Sequence, residues 1–241
     1  MPGTGEKSVR QSDRKLIRKL PLFCDMSDAN FEKLVSAAYL QHLPQHMTLI
    51  SEGDLPDFLH IVIDGSVKMF STHDGHEATL DIMQPVTTFI LAAVIRNAVY
   101  LKSARTLTPA QILMIPAKTV RSVFGRDADF ARSVVNELAE RYRAVVRSLK
   151  NEKLRTGAER LANWILQTDA LQGHHQRVEL MFDKRTLASR LGMTPENLSR
   201  NLALLANYGV RSVGRDIKIE DSLALERFAK PNALIDGWEP K

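Results

Sequence analysis

Residues 182–210, FDKRTLASRLGMTPENLSRNLALLANYGV, constrain the fold more than any other stretch of the chain. Asp183 offers a side-chain acceptor to the first amides of a helix whose apolar positions include Leu187 and Leu191. Gly192 permits a sharp reversal, Thr194 caps a second helix, and Pro195 stands at its first position, where a missing N–H costs nothing. Leu198, Leu202 and Leu205, at spacings of 4 and 3, turn the second helix onto the first. The pattern predicts a helix-turn-helix. Left outside, near the start of the second helix, are Glu196, Asn197, Ser199 and Arg200, where a recognition helix places base-reading side chains. Arg donates twice to guanine O6 and N7, Glu accepts from cytosine N4, and a Ser hydroxyl pairs with either kind of edge. Glu196 precedes Arg200 by four residues, so its carboxylate can also hold the guanidinium in its reading pose. Lys184 and Arg185, with Thr194, Asn197 and Arg215, are expected on DNA phosphates.

The charge distribution agrees. Residues 1–117 carry 11 basic and 12 acidic side chains, whereas 118–241 carry 22 and 16, so the net charge of +5 resides in the C-terminal half. Residues 184–218 alone hold seven basic and two acidic side chains, a footprint suited to a polyanion. Beyond the reading helix, apolar runs at 210–213 and 217–219 flank Gly214-Arg215-Asp216 and predict a small hairpin, a wing whose Arg211, Arg215 or Lys218 would meet the DNA backbone.

Upstream the pattern changes. After a short helix around 28–38, short apolar runs at 47–50, 58–63, 67–70, 78–83 and 112–115 alternate with Gly53-Asp54, Asp64-Gly65 and Asp74-Gly75. Within 58–63, Leu59, Ile61 and Ile63 face one way and Phe58, His60 and Val62 the other, the period-two pattern of a strand. Asp-Gly pairs between such runs predict hairpins, because both central positions of a type I′ turn need positive φ. Regular short strands with tight turns mean a sandwich or barrel.

Between these regions, residues 127–153 contain neither Gly nor Pro, and Ala131, Val135, Leu138, Tyr142, Val145 and Leu149 recur at spacings of 4, 3, 4, 3 and 4. This is an a/d seam, which calls for a partner helix. Packing of the same face on its own barrel is the alternative. Thr156-Gly157 interrupts the periodicity and marks a hinge before a further helix at 158–167 with Leu161, Trp164 and Ile165 inward. The expected organisation is an N-terminal tail (1–19), a sensor β-barrel (20–126), a dimerisation helix (127–153) and a winged helix-turn-helix domain (154–241), an α+β fold.

Several classes are excluded or disfavoured. No apolar run reaches the roughly 18 residues of a membrane span, and the polar, basic start lacks the apolar core of a signal peptide, so a cytoplasmic protein with no membrane partner is expected. The single cysteine, Cys24, forms neither an internal disulfide nor a four-thiolate iron–sulfur cluster. The polar loop 172–176 contains His174 and His175, but no further His or Cys at ligand spacing, so a solvated loop is expected there. No Ser/His/Asp, Cys/His or paired-carboxylate constellation supports an enzyme whose C-terminal domain is merely an interaction module.

A β-barrel sensor, a long helix and a C-terminal winged helix-turn-helix, in that order, resemble the Crp/Fnr superfamily of bacterial transcription regulators. The resemblance covers roughly residues 20–228 and is most specific at Glu196, Ser199 and Arg200. In the Fnr, FixK and denitrification-regulator branches this E-x-x-S-R pattern reads TTGAT-type half-sites, which implies base reading by those three residues. The cyclic-AMP receptor branch has Arg where Pro195 stands. The resemblance further implies a cyclic-nucleotide-binding-like jelly roll, a homodimer, double-stranded DNA as ligand and RNA polymerase as partner. The polymerase contacts would fall on the turn His73-Asp74-Gly75-His76-Glu77 and on the loop 172–176.

The effector is read from departures. Cyclic-nucleotide members carry a Phe-Gly-Glu turn whose Glu binds ribose and an Arg-Ser pair that holds phosphate; this chain has Phe89-Ile90-Leu91 and Lys102-Ser103, which disfavours a cyclic nucleotide. The apolar block 89–95, together with MTPENLSR, resembles the NnrR branch, regulators of nitrite and nitric oxide reductase genes that respond to nitric oxide. The FixK-like members suggest instead an effector-independent regulator. An apolar cavity would suit a haem with an axial His. Of His42, His46, His60, His73 and His76, only His60 lies where it can point inward, though a satisfied core histidine accounts for it as well.

Overall fold

The computed structural model describes residues 11–237, and the chain divides into two compact units at Arg141/Tyr142. The first contains helices α1 (Gln11–Arg18) and α2 (Asp28–Ser36), then strands β1 (Tyr39–Leu43), β2 (Thr48–Ile50), β3 (Phe58–Asp64), β4 (Val67–His73), β5 (His76–Met83) and β6 (Thr87–Phe89). Helix α3 (Leu91–Arg96), strands β7 (Ser103–Thr106) and β8 (Ala110–Pro116), helix α4 (Ala117–Phe124) and the first half of α5 (Ala128–Leu154) complete it.

Two antiparallel four-stranded sheets, ordered β1-β8-β3-β6 and β2-β7-β4-β5, make the expected β domain. The period-two pattern of β3 does not separate core from solvent, because both its faces are buried. Leu59, Ile61 and Ile63 join a core with Phe23, Phe31, Leu34 and Phe130 of the covering helical layer, whereas Val62 joins Met69, Phe89 and Ile112 between the sheets. Burying each such side chain contributes about 1.5–3 kcal/mol.

Asp74-Gly75 forms the expected hairpin, with φ of 49° and 78° and His73 opposite His76. Asp64-Gly65 does not. It links β3 to β4, which belong to different sheets, and a Cβ at Gly65 would lie 2.3 Å from the Pro109 carbonyl oxygen. Gly65 takes a positive φ of 80°, but the strand partners are chosen by non-local packing.

Part of the expected tail is a helix, since α1 occupies residues 11–18 and its Ile17 is fully buried; residues 1–10 lie outside the described residues. Asp127 ties two helices together. Its carboxylate accepts the Phe130 amide (2.9 Å) at the start of α5, and the Ser27 amide (3.1 Å), Ser27 hydroxyl (2.8 Å) and Asn30 amide group (2.9 Å) of α2. These bonds hold it well below the usual carboxylate range against the opposing cost of burial.

On α5, Phe130, Ser133 and Val134 are buried, and Leu138 packs against their cluster, so Leu138 departs from the expected seam because the helix still covers its own domain there. Ala131 is half-buried. Val135, Tyr142 (70% exposed), Val145 (65%) and Leu149 leave a stripe open to solvent.

In the second unit, α5 is followed by α6 (Gly157–Leu171), β9 (Arg177–Glu179), α7 (Lys184–Arg190), α8 (Pro195–Leu205), a 3-10 turn (Ala206–Tyr208), β10 (Val210–Val213), β11 (Asp216–Ile219), α9 (Ser222–Ala229) and α10 (Ala233–Asp236). The break at 156–157 is a capping box: Thr156 Oγ1 accepts the Glu159 amide and Glu159 accepts the Thr156 amide. The wing is a three-stranded antiparallel sheet, β10-β11-β9, one strand more than the sequence pattern predicts. No helix among the described residues is long and apolar enough to cross a membrane.

Candidate nucleic-acid interface

The expected caps and turn are in place. Asp183 accepts the Thr186 amide at 2.7 Å, which starts α7. Gly192, at φ 63°, reverses the chain while the Met193 amide donates to the Ala188 carbonyl at 3.0 Å. Thr194 Oγ1 accepts the Asn197 amide at 3.2 Å and Pro195 opens α8. Leu187, Leu198 and Leu205 are almost wholly buried, and Leu202 half-buried. That packing turns Glu196, Asn197, Ser199 and Arg200 outward together, all four exposed.

Their chemistry differs in detail from a free display. The Glu196 carboxyl is held below its ordinary value first by its own backbone N–H, then by the Thr194 hydroxyl, and then by the charges of Arg200 and Arg185. It is therefore an anionic acceptor whose anchor is the cap rather than the Arg200 ion pair. The Ser199 hydroxyl donates to the Pro195 carbonyl at 3.1 Å, which leaves its oxygen lone pairs facing outward. Lys184, Arg185 and Thr194 are exposed at the N-terminal ends of α7 and α8.

The wing is less basic than its sequence suggests. Arg211 pairs with Glu220 at 3.0 Å and Arg177 with Asp216 at 2.9 Å. Arg215, expected on a phosphate, gives two donors to the Leu180 carbonyl (3.2 and 3.0 Å) and so fastens the hairpin to the end of β9. Lys218 is exposed on β11.

Arg160 is a residue that sequence reasoning passes over. Its guanidinium donates to the carbonyls of Leu191 (2.9 Å), Gly192 (3.3 Å) and Arg155 (2.9 Å), capping the end of α7. The available signal is a cation in the first turn of a helix, where the dipole disfavours it unless it is held elsewhere.

In the first unit, the turn residues His73, Asp74, Gly75 and His76 are exposed, whereas Glu77 is committed to the sheet, bonded to Lys68 and to Arg105 (2.9 Å). His60 is 3% exposed, stacks on Phe89 at 5.2 Å and meets Phe58 edge-on at 6.4 Å; its Nδ1 has no hydrogen-bond partner. Burial lowers its pKa to about 4, against a smaller raising effect of the Phe58 backbone. No group of three or more His, Cys, Asp or Glu suited to a metal ion occurs among the described residues.

The apolar block resolves into the end of β6 and the short α3. Ile90 links them at φ 61° and ψ 19°, a left-handed conformation that a β-branched residue rarely adopts. Half-buried Lys102 has its pKa lowered by burial, with Asp81 opposing and Arg141 reinforcing the shift. Arg141 itself donates to the Thr88 carbonyl at 2.9 Å and to Glu137 at 2.9 Å.

Comparison with known proteins gives matches to both units. Residues 40–127 match the cyclic nucleotide-binding domain, and residues 159–228 match the Crp-like helix-turn-helix domain. A CRP-like cAMP-activated global transcriptional regulator of Mycobacterium tuberculosis is 27% identical over 193 residues, 78% of this chain and 86% of the relative. A crystal structure from Ruegeria pomeroyi, described as a cyclic nucleotide binding protein, is 30% identical with a TM-score of 0.61, covering 91% of this chain and 97% of that one. FixK2 from Bradyrhizobium japonicum shares the fold at 19% identity and a TM-score of 0.70, over 79% of this chain and 96% of that one.

Proposed function

This chain belongs to the Crp/Fnr family of DNA-binding transcription regulators, whose members are regulators and not enzymes, and from that premise we propose that it is a homodimeric activator reading a TTGAT-N4-ATCAA-like palindrome. The observation that carries the reading is the joint exposure of Glu196, Ser199 and Arg200 on the first turns of a doubly capped α8. Arg200 reads guanine, Glu196 the complementary cytosine, and Ser199 an outer thymine. Lys184, Arg185, Thr194 and Asn197 meet phosphates. Arg215 acts mainly by holding the wing. The domains are the sensor at 20–126, the α5 helix at 127–153 and the DNA-binding domain at 154–241.

Two copies associate through Val135, Tyr142, Val145 and Leu149, with Ala131 at the margin. Half-sites then lie roughly one helical turn apart, as dimeric helix-turn-helix proteins require. The His73–His76 turn and the loop 172–176 meet RNA polymerase. Such a protein works in the cytoplasm, and the E-x-x-S-R pattern with the apolar block 89–95 supports control of denitrification or nitric oxide metabolism genes in response to nitric oxide or low oxygen.

A second reading, an effector-independent regulator, is favoured by Ile90. It keeps a glycine-like backbone at the position where cyclic-nucleotide binders carry Gly, yet its side chain fills that turn and packs on both cores of the first unit. His60 offers one unpartnered ring nitrogen to a haem, but its ring is already packed between Phe58 and Phe89.

Anaerobic fluorescence anisotropy on the palindrome and a scrambled duplex tests all of this, with no additive and with nitric oxide, haemin or cAMP. Selective binding without additive supports the effector-independent reading; selectivity appearing only with nitric oxide or haemin supports the sensor, and with cAMP alone it refutes both. Arg200→Ala should lose about 1–3 kcal/mol of preference for the palindrome. An unchanged preference would refute base reading by α8.

A further inference from the structure

The C-terminal segment beyond the helix-turn-helix match at 159–228 is bonded into the hinge that precedes it. Arg155 stands between the end of α5 and the Thr156 cap of α6. Its guanidinium grips Asp236 of α10 with two bonds, 2.5 Å to Oδ1 and 2.7 Å to Oδ2. The two side chains are only 6% and 7% exposed. The remaining Arg155 donors reach Asn151 Oδ1 (3.1 Å) and the Lys230 carbonyl (3.3 Å), while Asp236 also accepts the Asn232 amide at 2.7 Å. Three more ties hold the same segment: Lys150 to the Leu234 carbonyl (2.9 Å), Asn163 to the Ala229 carbonyl (2.6 Å), and Lys230 near Glu159 (3.8 Å).

The network continues to the DNA-reading turn. The Arg155 carbonyl accepts Arg160 Nη1, and the same guanidinium reaches the Leu191 and Gly192 carbonyls with Nε and Nη2. A planar fork satisfies three carbonyls at fixed angles, which an ammonium cannot do. Gly192 leads directly into the Thr194 cap that starts α8. Gly157 lies against α8 beside this path, where an added Cβ would meet the Asn201 side chain at 2.9 Å.

We propose that residues 230–237 are a positioning strap for DNA recognition: Asp236 fixes Arg155, and through the Arg155 carbonyl Arg160 fixes the turn that aims α8. The inference rests on the DNA reading above and adds to it a part of the chain that touches no base. It predicts that the strap governs affinity while leaving base preference and phosphate contacts alone. Asp236, Arg155 and Arg160 are thus positioning residues, separate from the reading set.

The test uses the full chain with Asp236→Asn, Asp236→Glu and Arg160→Lys. Amide hydrogen exchange without DNA is followed at 155–160 and at Leu191, Gly192 and Met193, and anisotropy on the palindrome is measured at several salt concentrations. Asp236→Asn should speed exchange at both segments by about tenfold or more, because one partner of a buried pair is lost. Affinity should fall severalfold at unchanged palindrome preference and unchanged salt slope, and Asp236→Glu should restore both readouts. If Asp236→Asn proves too unstable to measure, Arg160→Lys decides, since it keeps the charge but removes the fork and should loosen the turn alone. Faster exchange confined to 230–237, with the turn and the affinity unmoved, would overturn the proposal, as would an Arg160→Lys protein with native exchange at the turn. Absence of selective DNA binding in the native protein would instead sink the DNA reading, and the exchange comparison would still decide whether the strap holds the turn.

Discussion

His60 should make the first unit sensitive to mild acid. Its folded pKa of about 4 lies below the ordinary 6.5, so over that interval the unfolded chain binds the proton and the folded one does not. Stability therefore rises with pH between about 4 and 6.5 and is lost on acidification. With the imidazole 3% exposed, solvent screening takes little away. Applying the linkage relation to these two values gives a loss of about 2 kcal/mol between pH 7.5 and pH 5, reaching about 3 kcal/mol at pH 4. The perturbation is His60→Leu, which is similar in volume and forfeits no partner for the unbonded Nδ1. Tryptophan fluorescence is the wrong probe, because Trp164 and Trp238 both lie in the C-terminal half. Urea unfolding followed by far-UV circular dichroism, or exchange at the β3 amides, reads the sensor instead. Other acids, Asp127 among them, titrate alike in both proteins and cancel in the difference. The variant should lose about 2 kcal/mol less than the native protein between pH 7.5 and 5. Parallel loss in the two proteins would show that His60 is not held neutral by burial, and the stacked, desolvated placement would be wrong.

Other consequences are separable. Asp127→Ala leaves the Ser27 and Asn30 donors and the Phe130 amide without their acceptor and should cost about 2–4 kcal/mol at pH 7 by urea unfolding; because its folded pKa is depressed, this contribution is present above about pH 4 and fades as pH falls below it. Gly65→Ala combines a φ of 80° with a Cβ 2.3 Å from a carbonyl oxygen, so the sheet-to-sheet link must shift; a loss above about 2 kcal/mol is expected in the same assay. If two copies associate through α5 as proposed, Val145→Glu should leave a monomer in sedimentation equilibrium with the circular dichroism spectrum kept, since this side chain is 65% exposed within one chain. Lys184→Ala should weaken palindrome and scrambled DNA alike and reduce the salt slope by about 1, unlike Arg200→Ala.

By itself the amino-acid sequence determined what is local in this protein. Caps at Asp183 and Thr194, Pro195 at the first helical position, and Gly192 at the reversal act within a few residues, so the helix-turn-helix and its outward face followed from spacing alone. The same holds for the Asp74-Gly75 turn and the long α5, whose Gly- and Pro-free run needs no distant partner to become helical. The tertiary structure decided what depends on residues far apart in the chain. Only the closing of two sheets shows that Asp64-Gly65 changes sheet, that β3 is buried twice over, and that Leu138 still belongs to its own core. Arg215 and Glu77 look like free surface charges until their partners at Leu180, Lys68 and Arg105 are in place. The grip of Arg155 on Asp236 spans 81 residues. No periodicity or cap motif encodes such a pair, because the mutual attraction and hydrogen bonds that offset its loss of water exist only once both segments are packed together.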